Sequence, residues 1–447
     1  MTSLVGTANI KEMIPRLSLF PLATEVNSQG HLVIGGCDTV ELAAEFGTPL
    51  YLFDELSLRH KCAEFKAEFS QRYADTTVIY ACKAFINQAL ALILKEEGLG
   101  LDVVSAGELS IAQSVDFPLD NVYFHGNNKT AEEIRLALKG HIGRTVVDNF
   151  HELKMLDELA KETGYTPDIL LRLSPGIDPH THQYIATGTI DSKFGFPLSS
   201  GEDAIAAVRS VSSLNLVGLH FHIGSLIFEV EPYEQAIEHI LSFAAEMKPK
   251  YDFELKELNI GGGFAIQYTP DSPAPPVSAY AKALTGKIIS QCQKLKLTLP
   301  RLIIEPGRAI VGQSGVALYS VGMIKDIPGV RRYIAVDGGM ADNIRPALYD
   351  SKYDAVIANK ASGKETSKVT IAGRFCESGD ILVKDIDLPP VSAGDIIAIP
   401  SCGAYCLPLA SNYNASLKPA IVLVREGKSH LIRRRETFDD LTRCDLI

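Results

Sequence analysis

The chain is predicted to fold as an α/β barrel of eight strand and helix repeats, a (β/α)8 TIM-type barrel, joined to an all-β domain. Three observations carry this. Short runs rich in Val, Ile and Leu alternate eight times with segments whose apolar residues recur at helical spacing. The runs end on polar residues, and the carboxyl ends of the strands are where such a barrel places its active site. Past residue 310 the helical segments stop, and strand-like runs follow one another between Gly, Pro and Asp.

The barrel runs are VIYACKA (78–84), GLDVVS (100–105), VYFHG (122–126), TVVDN (145–149), ILLRLSP (169–175), GLHFHIGS (218–225), ELNIGGG (257–263) and RLIIEPG (301–307). Between them, segments such as NQALALILKEEG and AEEIRLALKG close on Gly, a common residue just past a helix end. The β-domain is read from VALYSVGMI, RRYIAVDGG, KVTIAG, DIIAIP and AIVLV. Residues 1–45 hold short strand candidates such as HLVIGG and no long helical pattern, so they are expected to join the β-domain. That leaves 46–310 to the barrel and 311–447 to a C-terminal β-domain of sandwich or barrel type.

A length of 447 residues exceeds one ordinary hydrophobic core and fits two domains. With 46% hydrophobic and 22% charged residues, the composition is that of a folded soluble enzyme. A formal net charge of -11 gives no concentrated basic surface, which argues against a nucleic-acid partner. The opening MTSLVGTANIKEMIPRLSLF is interrupted by Lys11 and Glu12 and lacks a signal-peptide pattern. No apolar run nears the ~20 residues that span a bilayer, so a cytoplasmic location without a membrane partner is expected. The eight cysteines form no CxxC pair and read as reduced thiols. Cys402 and Cys406 have no second ligand pair at zinc spacing and read as core residues.

Lys83 closes an apolar run in YACKAF, where partial desolvation would lower its pKa as a Schiff-base amine requires; the bland alternative is a snorkelling surface lysine. Asp102, at the neighbouring run, is placed to accept a hydrogen bond from Lys83, or is a plain turn carboxylate. Gly261, Gly262 and Gly263 follow the seventh run, where barrels commonly bind phosphate, and amides without side chains can converge on an anion there. A tight turn is the other reading. His220 and His222, at i and i+2, would share one strand face ahead of Gly224 and Ser225. A metal pair lacks a third ligand at suitable spacing, so no metal is expected. Either imidazole is then a core residue, or one stacks on a flat cofactor ring with Ser225 on its phosphate. Glu305 follows two branched apolar residues and needs a cationic partner. A protonated pyridinium nitrogen, kept as an electron sink, would serve, and so would Arg308 three residues on. In the β-domain, Cys376 and Glu377 lie among small residues in GRFCESGD, while Arg345, Tyr349 and Tyr405 stand in NIRPALYD and SCGAYC; singly, each is open to a routine role.

Together YACKAF, GLGLDVVSAGEL, FHGNNK, THQYIATGTIDSKFG, HFHIGS, IGGGF, EPGRA, DGGMADNIRPALYD, GRFCESGD and GAYC resemble, in order and approximate spacing, the fold-type III pyridoxal-phosphate-dependent decarboxylases. Within that group the chain resembles the diaminopimelate decarboxylase family over nearly its whole length. The resemblance implies an alanine racemase-like barrel and pyridoxal 5'-phosphate as cofactor, held by Lys83 as a Schiff base with Asp102 beside it. It implies that His222 stacks on the ring and Glu305 bonds the pyridine nitrogen. Ser225, Gly261, Gly262, Gly263, Gly307, Arg308 and Tyr405 would surround the phosphate or its border with substrate. Arg308, Arg345, Tyr349, Glu377 and Tyr405 match substrate-holding positions, and Cys376 matches the proton donor. A homodimer with active sites shared across the interface is implied as well.

The implied reaction converts meso-2,6-diaminopimelate to L-lysine and CO2, the last step of lysine biosynthesis. A substrate ending in both an ammonium and a carboxylate suits Arg308, Arg345 and Glu377, whereas ornithine, lysine or arginine would leave such arginines unpaired. A decarboxylase of those amino acids, a racemase and a non-catalytic pyridoxal-phosphate carrier are the competing readings. Two positions depart from the family pattern: Leu226 stands where Gln is frequent, and no Arg follows Asn414.

Overall fold

Eight strands close into a parallel barrel in the computed structural model, which describes residues 16–22, 24–177, 192–364 and 366–447. Thr76–Ala81 pairs with Gly100–Val103, and parallel pairing runs on through Val122–Phe124, Arg144–Val147, Asp168–Ser174 and Asn215–His220. Glu257–Asn259 and Arg301–Ile304 follow, and the last returns to Thr76–Ala81. Every expected run is a barrel strand, but each strand stops short of its run. The sixth ends at His220, so the ladder is over before His222. The chemically capable ends therefore sit in the loops beyond the ladder.

Those loops enter their helices through side-chain caps. Asn87, Ser105, Thr130 and Asn149 each accept a backbone N–H from the first turn of Gln88–Glu96, Ala106–Gln113, Ala131–Lys139 and Phe150–Thr163. Ser105, a polar run end, is thus occupied as a cap. Inside the barrel, Ile79, Tyr123, Val146, Leu170, Val217 and Ile303 form one buried apolar cluster. Two residues along the same strand faces, Arg172 follows Leu170 and Glu305 follows Ile303, so the filling changes from hydrocarbon to charge.

This compact unit comprises Lys61–Ala265 and Ala274–Ala309; the other comprises Met1–His60, Ile266–Pro273 and Ile310–Ile447. The second is β-rich. Its long strand Gly315–Ile327 pairs with Leu50–Asp54, Ile396–Ile399 and Arg331–Val336. Ala420–Arg425 adds in parallel to Leu50–Asp54, and Ser367–Ala372 lies between Arg331–Val336 and Ile381–Leu388. Leu50–Asp54, allotted by sequence to the barrel, thus lies centrally in this sheet; all five of its residues are buried, as a strand covered on both faces requires. Thr39–Phe46 is a short helix capped by Asp38, in a segment read as having no long helical pattern. Among the described residues no helix is long and apolar enough to cross a membrane.

Gly218 is a position where the barrel admits no side chain. A Cβ there would meet Glu257 O at 2.0 Å and the Leu170 side chain at 2.7 Å. Gly218→Ala is expected to destabilise the barrel by about 3 kcal/mol or more, measured by urea unfolding. A loss below about 0.5 kcal/mol would contradict this strand register.

Candidate functional site

A cavity of about 350 Å³ opens at the carboxyl ends of the barrel strands, lined among others by Lys83, Asp102, His125, Arg172, His220, His222 and Glu305. Glu305 is 4% exposed, and its partners are polar side chains from three loops and strands. Asn259 Nδ2 donates to Oε1 at 2.7 Å, His125 Nε2 stands 3.0 Å from Oε1, and His220 Nε2 stands 3.6 Å from Oε2. The two imidazoles pack edge to face, with centroids 4.8 Å apart. Burial alone would raise the Glu305 carboxyl, but the facing His125 and His220 outweigh it and hold Glu305 well below the usual carboxylate range. Burial pushes His220 down to about 3 against the pull of Glu305. Neither ring nitrogen of His220 has a hydrogen-bond partner among the described residues.

These groups also bear on two sequence expectations. His125, His220 and Glu305 have ligand atoms within 4.8 Å of one another, so a third group of metal-binding type does approach His220, contributed by the loop after the third strand. The spacing of His220 and His222 gave no sign of it. His222 is not on the shared strand face; it lies past the strand end, with its Nδ1 accepting from Gly262 N at 3.1 Å. Burial, and after it the charges of Lys83 and Arg172, hold the His222 imidazole well below its usual pKa.

The three glycines have a use the anion reading missed. Gly261 N donates to Asn259 Oδ1 at 2.9 Å and Gly262 N to His222 Nδ1, so these two amides are directed at protein acceptors rather than into a phosphate cup. Each glycine is also demanded by close approach. A Cβ would lie 2.7 Å from His222 Nδ1 at Gly261, 2.2 Å from Glu305 O at Gly262 and 2.5 Å from Gly224 O at Gly263. Nearby, Arg308 is 6% exposed and its Nη2 donates to Ser225 Oγ at 2.9 Å. Leu226, the departure from the family pattern, sits beside Ser225 at φ 59°, in the left-handed region that favours glycine.

Lys83 lies past the strand end rather than on it. The strand stops at Ala81, and Lys83 occupies the 3-10 turn Cys82–Ala84 with its side chain exposed between two buried neighbours. Gly307 supports this turn: a Cβ there would lie about 3.0 Å from Ala81 Cβ and 3.1 Å from Ala84 Cβ. Asp102 is 2% exposed; burial raises its carboxyl and the charges of His125 and Lys83 pull it back. Its Oδ1 has no hydrogen-bond partner among the described residues. Arg172 approaches Asp148 at 3.8 Å and stacks over Phe194 at 4.4 Å. Of THQYIATGTIDSKFG, residues 181–191 lie outside the described residues.

In the β-rich unit Arg345 is 2% exposed and no carboxylate pairs with it among the described residues. Its Nη1 donates to the hydroxyls of Tyr268 and Tyr353, its Nη2 to Ser351 Oγ at 3.3 Å, and its guanidinium lies over both tyrosine rings. Nε has no hydrogen-bond partner among the described residues. Tyr349 ends the helix Arg345–Tyr349. Cys376 is exposed, its amide donating to Asn414 Oδ1 at 3.1 Å, and Glu377 accepts the Tyr413 hydroxyl at 2.6 Å. Tyr405 is half-buried at φ 63°. Asn259 and Tyr413 are partners that sequence reasoning did not single out; the Asn two residues ahead of a glycine triplet was the available signal for the first.

Residues 56–312 match the family model described as pyridoxal-dependent decarboxylase, pyridoxal binding domain. Over 422 residues, 94% of this chain and 96% of that protein, the diaminopimelate decarboxylase of Bacillus subtilis is 46% identical. Among solved structures, the diaminopimelate decarboxylase of M. jannaschii matches with a TM-score of 0.89 at 36% identity, covering 95% of this chain and 98% of that one. The enzyme of the same name from Helicobacter pylori, complexed with L-lysine, matches at 0.83 and 32% identity, covering 91% and 98%.

Glu108 offers a pH test of the cavity's electrostatics. Its Oε2 accepts Val104 N at 2.7 Å; burial, aided by the Asp102 charge and opposed by that of Lys83, pushes the carboxyl from 4.5 up to about 7. A raised folded-state pKa means stability that is full below pH 4.5 and lost as pH climbs through 7. Glu108→Gln should match the parent at pH 4.5 and exceed it at pH 8 by about 1–2 kcal/mol, allowing for water at this half-buried group. Urea midpoints that keep a constant gap from pH 4.5 to 8 would refute the shift.

Proposed function

We propose that this chain, which belongs to the diaminopimelate decarboxylase family of pyridoxal-dependent decarboxylases, releases CO2 from meso-2,6-diaminopimelate to leave L-lysine, the last step of lysine biosynthesis. The observation that carries the reading is a lysine amine and a buried carboxylate, Lys83 and Glu305, lining one cavity with an imidazole, His222, between the loops. The donor set fits pyridoxal 5'-phosphate: Asp102 Oδ1 and both His220 nitrogens are buried there without hydrogen-bond partners among the described residues. When bound, that cofactor supplies a ring able to accept the electron pair left by departing CO2.

Lys83 would hold the cofactor by its amine, with Asp102 beside it, His222 against the ring and Glu305 facing the ring nitrogen. A carboxylate kept ionised at that point holds a proton on the nitrogen it faces. Ser225, Gly263, Gly307, Arg308 and Tyr405 would take the phosphate end, with Gly261 and Gly262 beside it, their amides held by Asn259 and His222. Cys376 would deliver the proton that replaces CO2 on the α-carbon. For the distal end of the substrate, Arg345 retains Nε–H and one Nη2–H, a pair of donors suited to a carboxylate, while Glu377 would take the ammonium. Arg308, Tyr349 and Tyr405 complete the substrate set. A cytoplasmic homodimer, in which Cys376 and Glu377 of one copy complete the site of the other, is part of the same proposal and comes from the family resemblance.

The test is release of CO2 and lysine from meso-diaminopimelate, set against lysine, ornithine and arginine as substrates. Only the first should turn over well. Arg345→Ala should cost roughly 2 to 5 kcal/mol in kcat/KM for diaminopimelate, with the melting temperature followed to confirm folding. A loss of two-fold or less would remove the distal-carboxylate role.

Mixing two inactive variants tests the shared site. In a closed two-fold dimer of one Lys83→Ala and one Cys376→Ala chain, one site carries both lesions and the other neither. Random exchange makes about half the dimers mixed, so about a quarter of the parent activity should return. Blank-level activity with tagged mixed dimers present would place each site within one chain.

A further inference from the structure

The FHGNNK loop after the third barrel strand has no part in the proposal above. Its residues are nevertheless tightly fixed. His125 N donates to Val103 O at 2.8 Å, and the chain then turns at Gly126, φ 122°. Lys129, 5% exposed, spends all three ammonium protons on Gly126 O at 2.9 Å, Val146 O at 2.7 Å and Glu152 Oε1 at 2.7 Å. Glu152 Oε2 accepts Asp148 N at 2.9 Å, and Asn149 Nδ2 donates to Asn127 O at 3.1 Å. The loop is therefore tied to both neighbouring strands, which leaves the His125 ring one place to be.

That place is between two buried carboxylates. His125 Nε2 lies 3.0 Å from Glu305 Oε1 and 3.7 Å from Asp102 Oδ1, and the two acids are 4% and 2% exposed. Like charges this deep repel strongly unless a group lies between them. Asp102 Oδ1 has no hydrogen-bond partner among the described residues, so a shift of under an ångström brings it within bonding distance of the same Nε2. Lys83, Glu108, Arg172, His220 and His222 are the other charged or titratable groups acting on this pair.

We propose that His125 is a positioning residue for the decarboxylation read above: from a loop locked by Lys129, its Nε2 bridges Asp102 and Glu305 and keeps both carboxylates in one fixed arrangement. The proposal rests on that reading for what Glu305 faces, but the bridge itself is a property of the protein alone.

A double-mutant cycle tests it. His125→Leu, Asp102→Asn and the double variant are unfolded in urea without cofactor, and each is titrated with pyridoxal phosphate by absorbance. His125→Leu should lower the urea midpoint and weaken pyridoxal-phosphate binding ten-fold or more. Adding Asp102→Asn should recover at least half of both losses, because one carboxylate then remains. His125→Gln, whose amide reaches the Nε2 position, should bind within three-fold of the parent. A ring that only fills space predicts additive losses, and additivity overturns the bridge, as does a loss under three-fold in His125→Leu. If His125→Leu does not fold, Gln and Asn variants are compared: the bridge requires Gln to bind at least five-fold more tightly, and equality overturns it. A coupled urea cycle in a protein that binds no pyridoxal phosphate would sink the functional reading and leave the bridge standing.

Discussion

Glu305 is a carboxylate at 4% exposure, and a charge that deep persists only if the surrounding chain supplies polar partners. Much of the barrel mouth is arranged to do so. Asn259, on the neighbouring strand, donates to Glu305 and is itself oriented by Gly261 N, while Gly261 O accepts Glu305 N. The backbone must come so near that Gly262 has no room for a Cβ beside Glu305 O. His220 and His125 close the other sides. The second of these is held by a loop whose anchor, Lys129 with Glu152, is a buried ion pair reinforced by two carbonyls and an amide.

The β-rich unit meets the converse demand. Arg345 is a buried cation without a carboxylate among the described residues, and phenol hydroxyls, a serine and two aromatic faces take that place. These partners raise its already high pKa against the effect of burial. Hydroxyls leave the net charge uncancelled, which is why an anion remains the chemistry such a guanidinium would accept.

The strands were legible because parallel barrel strands are covered on both faces and read as unbroken apolar runs. Their ends were not. Where a ladder stops depends on the neighbouring loop, as at Ala81, whose amide reaches Pro306 O, and this put Lys83 in a turn past the strand end. Leu50–Asp54 was misallotted for a related reason: its partners, Gly315–Ile327 and Ala420–Arg425, lie hundreds of residues away, beyond any local pattern. The glycine triplet was recognisable as special, but an amide aimed at His222 Nδ1 and one aimed at a phosphate leave the same sequence. Glu305, by contrast, stood out because a carboxylate directly after two branched apolar residues must be held by something.

In the proposed function the polar end of the barrel holds the cofactor, with Lys83 as its point of attachment. Reduction of the pyridoxal-phosphate-loaded protein with borohydride, followed by peptide mapping, tests it most directly. One pyridoxyl-modified lysine is expected, Lys83, in the peptide containing YACKAF. A label on Lys129 or on any other lysine, with Lys83 unmodified, would contradict it.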